Sequence, residues 1–229
     1  MTEQRETALI TGATGGIGQA LAAALAPRYD LILSGRDEGK LQVLAAKFPG
    51  AQILALDLER PETFGGAVAH LPNLDALIHN AGVAVLGTIE ASLPEVWRHN
   101  LTVNLIAPAE LTRVLLPALR AACGQVVLIN SGAGLSASPG WGAYAASKFG
   151  LRALADSLRA EEAPNGVRVT SVYPGRTATD MQRFVRAQEG GAYQEEAYIR
   201  PSSVASAVLA ALSLPRDAAL TELTVKPGG

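Results

Sequence analysis

The chain has 229 residues, 48% of them apolar and 17% charged, and a formal net charge of −2. That length suits one α/β domain over residues 1–229, and the charge balance leaves no basic footprint for nucleic acid. No apolar run approaches the ~18 residues of a membrane span, and a single cysteine excludes an internal disulfide.

Met1–Thr7 is polar, unlike a secretory leader, so a cytoplasmic location is expected. Short apolar runs follow at Thr7–Thr11, Asp30–Ser34, Gln52–Leu56, Ala76–His79, Gln125–Asn130, Arg168–Tyr173 and Leu220–Val225. Most have no polar face, as in parallel strands covered on both sides. Stretches of helical period separate them at Ile17–Ala26, Glu38–Lys47, Pro61–His70, Leu93–Ala122, Trp141–Glu162 and Ser202–Leu214. The alternation predicts an α/β fold: a doubly wound, Rossmann-like, mostly parallel sheet of about seven strands with helices on both faces. Pro108 and Pro117 predict a break or kink within Leu93–Ala122. Cys123 reads as a small apolar filler before a strand. Pro164-Asn165-Gly166 ends the helix Trp141–Glu162, and Pro201 suits the first turn of the last helix. There is no cluster of metal ligands, so no metal is expected.

The first strand runs into Thr11-Gly12-Ala13-Thr14-Gly15-Gly16-Ile17-Gly18, and a helix follows. Glycines let the backbone turn tightly against a pyrophosphate, and the helix N-terminus offers it free N–H groups. Gly12, Gly16 and Gly18 fit one dinucleotide-loop spacing; Gly12, Gly15 and Gly18 fit another. The loop alone does not choose between them. The second strand leads to Gly35-Arg36-Asp37. With Gly35 where an acidic residue would meet a ribose 2′-hydroxyl, the Arg36 guanidinium suits a 2′-phosphate, which favours NADP(H) over NAD(H). Asp37 is then the cap of the next helix; a strand ending two residues later would put it on the ribose and favour NAD(H). Asp57-Leu58 after the third strand suits an adenine amino group, with a cap of the helix behind Pro61 as the simpler alternative. The small residues Asn80-Ala81-Gly82 after the fourth strand allow close passage of the adenine ribose.

Tyr144 and Lys148 stand four residues apart on a predicted helix and share one face. Free tyrosine ionises near pH ~10, and a nearby ammonium is expected to lower that value into the range useful for proton transfer. Ser131, at the end of the preceding strand, is positioned to hold a substrate oxygen beside the phenol.

Together, Thr11–Gly18, Asn80-Ala81-Gly82, Asn104, Ser131, Tyr144-Ala145-Ala146-Ser147-Lys148 and Pro174-Gly175 resemble the short-chain dehydrogenase/reductase family, in its compact single-domain branch. The resemblance spans nearly the whole chain and selects the Gly12, Gly16, Gly18 spacing, with Thr14 and Ile17 in the same cofactor loop. It implies that Tyr144 exchanges a proton with the substrate oxygen and that Ser131 polarises that oxygen. It implies that Lys148 hydrogen-bonds the nicotinamide ribose and that Asn104 helps hold a relay water. Pro174-Gly175 would lie against the nicotinamide, with Thr177 on its carboxamide and Thr179 as a rival. The activity implied is NADP(H)-dependent interconversion of a small-molecule carbonyl and an alcohol, in a homodimer or homotetramer packed through the two long helices. A non-catalytic dinucleotide sensor would have no chemical need to keep Ser131, Tyr144 and Lys148 together. An epimerase or dehydratase using the cofactor transiently would consume no NADPH.

The expected pocket borders are Val83–Thr88, Ala133–Trp141 and Ala178–Ile199. Trp141 reads equally as a substrate wall or as packing at the helix start. Ala178–Ile199, with Gly190-Gly191, suits a lid that closes over substrate or a plain surface loop. Arg176 reads as a solvent-facing charge more readily than as a pocket residue.

Overall fold

The computed structural model describes residues 5–71 and 73–228. Expectations resting on Met1–Gln4 and Gly229 lie outside the described residues. The apolar runs form strands β1 (Glu6–Ile10), β2 (Tyr29–Gly35), β3 (Gln52–Ala55), β4 (Ala76–His79), β5 (Gln125–Ile129), β6 (Arg168–Pro174) and β7 (Glu222–Val225). All pair in parallel in one sheet of order β3-β2-β1-β4-β5-β6-β7. Successive side chains of a strand point to opposite faces, which is why the runs are apolar throughout. Ala8, Ile10, Leu31, Leu33, Ile78 and Val127 pack into one layer, whereas Leu9, Ile32, Leu77, Val126 and Leu128 pack into the other.

One layer carries α1 (Gly16–Leu25), α2 (Glu38–Ala45) and α8 (Pro201–Leu212). The other carries α3 (Phe64–Val68), α5 (Ala107–Ala121) and α6 (Gly142–Glu162). Two further helices, α4 (Pro94–Leu101) and α7 (Asp180–Gln188), stand at the carboxyl end of the sheet beside the cavities described below. Among the described residues, no helix is long and apolar enough to cross a membrane.

The stretch Leu93–Ala122 is interrupted as Pro108 requires. A π-helical turn at Thr102–Ile106 joins α4 to α5. Pro108 has no N–H to give the Asn104 carbonyl, and the wider turn accommodates the lost bond. Pro117, by contrast, sits within α5 without ending it. Arg120 then ties α5 to α6 through two bonds to Glu162, at 2.6 and 2.8 Å. Glu162 is almost fully buried, so this pair is needed to keep its charge compensated. Pro61–His70 is shorter than expected, a 3₁₀ turn followed by α3, because Gly65 and Gly66 favour helix weakly. Cys123 is exposed rather than packed inside: the reversal from α5 into β5 falls on it, with φ of 48°.

The strand order reverses between β1 and β4. Ile10 lies in register with Ile78, so the loops leaving the two strands start level with each other. Gly12, at φ +62°, passes so close that a Cβ there would stand 2.7 Å from Ala81 Cα. A Cβ on Gly18 would stand 2.2 Å from the Gly12 carbonyl oxygen, and one on Gly16 would stand 2.9 Å from Thr179 Cγ2. A Cβ on Gly15 would meet only Gly12 O, at 3.4 Å. Packing therefore demands glycine at 12, 16 and 18, and not at 15. Gly18→Ala is expected to lower unfolding stability by about 1–3 kcal/mol through overpacking, and Gly15→Ala to leave it nearly unchanged, as measured by urea denaturation.

Candidate active site

Two cavities open at the carboxyl ends of the strands, where ligands bind in doubly wound sheets. The first, about 390 Å³, lies over the glycine loop; the second, about 430 Å³, contains Tyr144. Ile17, Asn80, Gly82, Val83, Thr179 and Met181 border both, so the two form one cleft.

Thr11 locks the first cavity's floor. Its Oγ1 accepts from Asn80 N at 3.0 Å and from Ala81 N at 3.1 Å. Asn80 Nδ2 returns bonds to the carbonyls of Thr11 and Gly12, both at 3.0 Å. The start of α1 faces this cavity, since Gly15, Gly16 and Ile17 line it. Arg36 lines its far end, immediately beyond β2, and makes no ion pair among the described residues. Asp37 is engaged elsewhere: it caps α2 by accepting from Lys40 N at 3.0 Å. Leu58 and Asp57 line the same end, where Asp57 also accepts from Glu59 N at 3.0 Å.

In the second cavity Tyr144, Lys148 and Ser131 converge. Tyr144 and Lys148 are buried, at 7% and 4% exposure. Burial raises the phenol's pKa above its usual value, and the neighbouring Ser131 hydroxyl opposes that rise. The expected lowering by Lys148 is not found. Its Nζ lies 6.0 Å from the ring centroid and donates to Ile129 O at 3.0 Å, and desolvation is the dominant effect at Tyr144. Burial also pushes the Lys148 ammonium down, to about 8. Ser131 Oγ accepts from Ala133 N at 3.1 Å.

Asn104 supports this group from the π turn. Its Oδ1 accepts from Val83 N, and its Nδ2 donates to Val83 O and to Ser147 Oγ, each at 2.9 Å. Ser147 in turn donates to Tyr144 O at 2.7 Å. The side chain is thus fully used, and Pro108 has no N–H for the Asn104 carbonyl. Asn130 had not been singled out. It donates to Lys148 O at 3.1 Å and accepts from Ser131 N at 2.9 Å, fixing β5 to α6. Its signal was a polar residue closing an apolar strand.

The outer wall comes from the turn after β6 and from α7. Pro174, Gly175 and Thr177 line the second cavity, and Thr177 Oγ1 donates to Gly175 O at 3.0 Å. Thr179 caps α7 and touches Gly16. Trp141 lines the cavity and meets Tyr144 edge-on at 5.7 Å. Arg176 is exposed to solvent, as expected, and also borders the chamber. It lines the cavity 5.8 Å from the Trp141 ring and binds Glu189 with two bonds, at 2.7 and 2.8 Å. Glu189 also accepts from Arg186 at 2.7 Å, and these two guanidiniums hold its pKa down at about 2. Gln188 crosses to the opposite wall, accepting from Leu86 N at 2.8 Å and donating to Ala84 O at 3.0 Å. No sequence signal marked Gln188 or Glu189, because their partners lie far away along the chain.

A glycine loop at a strand-order reversal, beside a buried Tyr-Ser-Lys cluster, defines a dinucleotide-dependent class of enzyme. Residues 6–190 match the family described as short chain dehydrogenase. The chain is 34% identical to dehydrogenase/reductase SDR family member 7B of Bos taurus, over 89% of this chain and 69% of that protein. It spans 64% and 62% of the corresponding Xenopus laevis and Mus musculus proteins. Among solved structures, actinorhodin polyketide ketoreductase with NADPH superposes with a TM-score of 0.90, at 26% identity over 98% of this chain and 97% of that one. An alcohol dehydrogenase from the archaeon Thermococcus sibiricus, complexed with 5-hydroxy-NADP, gives 0.86 at 27% identity, over 97% and 96%. The chain belongs to the short-chain dehydrogenase/reductase family, oxidoreductases that act on CH–OH and C=O groups of small molecules.

The depressed Lys148 ammonium makes stability depend on pH. Below about 8 both folded and unfolded chains hold the proton, and the fold bears the full burial penalty. Between about 8 and the ordinary 10.5, the unfolded chain keeps a proton that the folded one has lost, so stability rises with pH. Wild type is expected to gain on the order of 3 kcal/mol over Lys148→Met as pH rises from about 7 to about 10, measured by urea unfolding. An unchanged difference between the two proteins across that range is the contrary result.

Proposed function

We propose that this chain is a single-domain NADP(H)-dependent carbonyl reductase or alcohol dehydrogenase in which Tyr144 is the acid/base. The observation that carries the proposal is the convergence of Tyr144, Ser131 and Lys148, the last one helical turn on, on one chamber continuous with the glycine-loop cleft. The solved relatives bound to NADPH and 5-hydroxy-NADP support the same cofactor type. When bound, NADP(H) supplies or accepts the hydride at its nicotinamide.

The residues fit that group. The close backbone approach at Gly12 and the start of α1 suit a pyrophosphate. Arg36, without an ion-pair partner among the described residues, suits a 2′-phosphate, while Asp37 is committed to its cap. Asp57 and Leu58 would border the adenine, Asn80–Gly82 its ribose, and Pro174, Gly175 and Thr177 the nicotinamide. Lys148 would hydrogen-bond the nicotinamide ribose.

In reduction, Ser131 orients the substrate oxygen and Tyr144 donates the phenolic proton to it. A phenol that burial keeps protonated suits this direction. Lys148 then returns a proton towards Tyr144, and a water on the Asn104 carbonyl connects Lys148 to solvent. In oxidation the proton moves the other way.

Self-association through α5 and α6 belongs to the same proposal, supported by the exposed apolar side chains Ile106 and Phe149 on neighbouring elements. So does the cytoplasmic location expected from the sequence.

NADPH oxidation with a panel of ketones and aldehydes tests the activity. Tyr144→Phe is expected to reduce kcat by about 10²–10⁴-fold and to leave NADPH affinity essentially intact; wild-type turnover in that variant contradicts the role. Arg36→Ala is expected to weaken NADPH binding by roughly 10–100-fold, the worth of charge-assisted hydrogen bonds, and to spare NADH binding. Equal losses for the two cofactors remove the 2′-phosphate role.

A further inference from the structure

Gln182 stands in the first turn of α7 and lines the chamber that contains Tyr144 and Ser131. It is only 8% exposed, and its side-chain amide has no hydrogen-bond partner among the described residues, with Nε2 the more buried of its two polar atoms. Buried polar groups are nearly always satisfied in folded proteins; a half-turn about the Cγ–Cδ bond exchanges Nε2 with the more accessible Oε1 and presents the NH2 to a partner that arrives with the ligand. The surrounding polar groups do not supply one. Thr179 Oγ1 caps the backbone of Gln182, Thr177 Oγ1 is turned to Gly175 O, and the Gln188 amide bridges Ala84 and Leu86.

Its position sets it apart from the adenine half of the cofactor cleft. Gln182, Val185 and Glu189 follow one another on the face of α7 that lines the chamber. The neighbouring Met181 borders both cavities, but Gln182 borders only the chamber with Tyr144. Val185 joins Ala84, Ala133 and Tyr144 in an apolar cluster, with Trp141 packed against it. Arg176, the guanidinium lining the chamber, is turned onto Glu189 by two bonds. Its guanidinium is committed to the wall, so it is not a free clamp for an acidic guest.

We propose that Gln182 is a specificity-determining residue whose amide donates to a second, neutral oxygen of the substrate. The substrate class is an uncharged ketone or aldehyde with an apolar substituent and an ether, hydroxyl or acyl oxygen near its carbonyl. The apolar part packs on Trp141 and Val185, and the reacting oxygen meets Tyr144 and Ser131. This assignment rests on the carbonyl-reductase reading given above.

α-Methoxyacetophenone and butyrophenone form a matched pair, differing by an ether oxygen in place of a methylene. Gln182→Leu is expected to lower kcat/KM for the ether about tenfold, equivalent to about 1.4 kcal/mol. It should leave butyrophenone turnover and NADPH affinity unchanged. Gln182→Glu, of the same size but with no donor when ionised, should match Gln182→Leu. Equal losses for both ketones overturn the proposal, as does a selective loss of NADPH affinity, which would give the amide to the cofactor. If the wild-type protein reduces no carbonyl at all, the carbonyl-reductase reading fails instead. Thermal shifts of the NADP-loaded protein with the two ketones then decide Gln182. Extra stabilisation by the ether that disappears in Gln182→Leu upholds the assignment; no extra stabilisation, or its persistence, overturns it.

Discussion

Where the strand order reverses between β1 and β4, the backbone at Gly12 runs against Ala81 with no room for a side chain on glycine. Thr11 and Asn80 exchange hydrogen bonds across the same contact. The two loops can therefore neither separate nor close further. The gap above them becomes the cleft, and the start of α1 is aimed into it. Everything placed around the cleft, from Arg36 at one end to Tyr144 at the other, takes its position from this contact.

The reactive end is held by a second set of constraints that converge on α6. Asn130 ties Lys148 to β5, and Asn104 reaches it through Ser147 from the π turn. Arg120 and Glu162 pin the far end of the same helix to α5. Apart from Arg120 these polar groups are buried, and most find partners, so the local order is high where the chemistry is proposed. Burial has a further effect: it raises the phenol of Tyr144 and lowers the ammonium of Lys148, disfavouring the charged form of each. A proton donor beside a relay group is the state that results.

The outer wall is built differently. α7 is secured by ion pairs and one amide at its C-terminal end, through Glu189 and Gln188. At its start Gln182 has a buried nitrogen with no partner among the described residues. Rigidity is placed at the rim of the chamber, and unspent hydrogen bonding is placed inside it. That division is what a pocket needs if it is to hold its shape and still discriminate among guests.

Much of this was readable before any coordinates. The alternation of apolar runs and helical stretches specifies a parallel sheet covered on both faces, because those patterns depend on residues close together in the chain. The glycine loop, the Tyr144–Lys148 spacing and the interruption near Pro108 are local in the same sense. Tertiary structure decided the rest. Packing against Thr179 and Ala81 gives the physical reason that glycines 12 and 16 are required and the one at 15 is not, a choice that the loop spacing alone left open. Only the fold brings Glu189 to Arg176, so that an arginine still exposed to solvent also borders the chamber. The sign of the pKa change at Tyr144 also waited for the fold: spacing supplies the neighbouring charge, but burial, set by elements distant in sequence, determines which effect prevails.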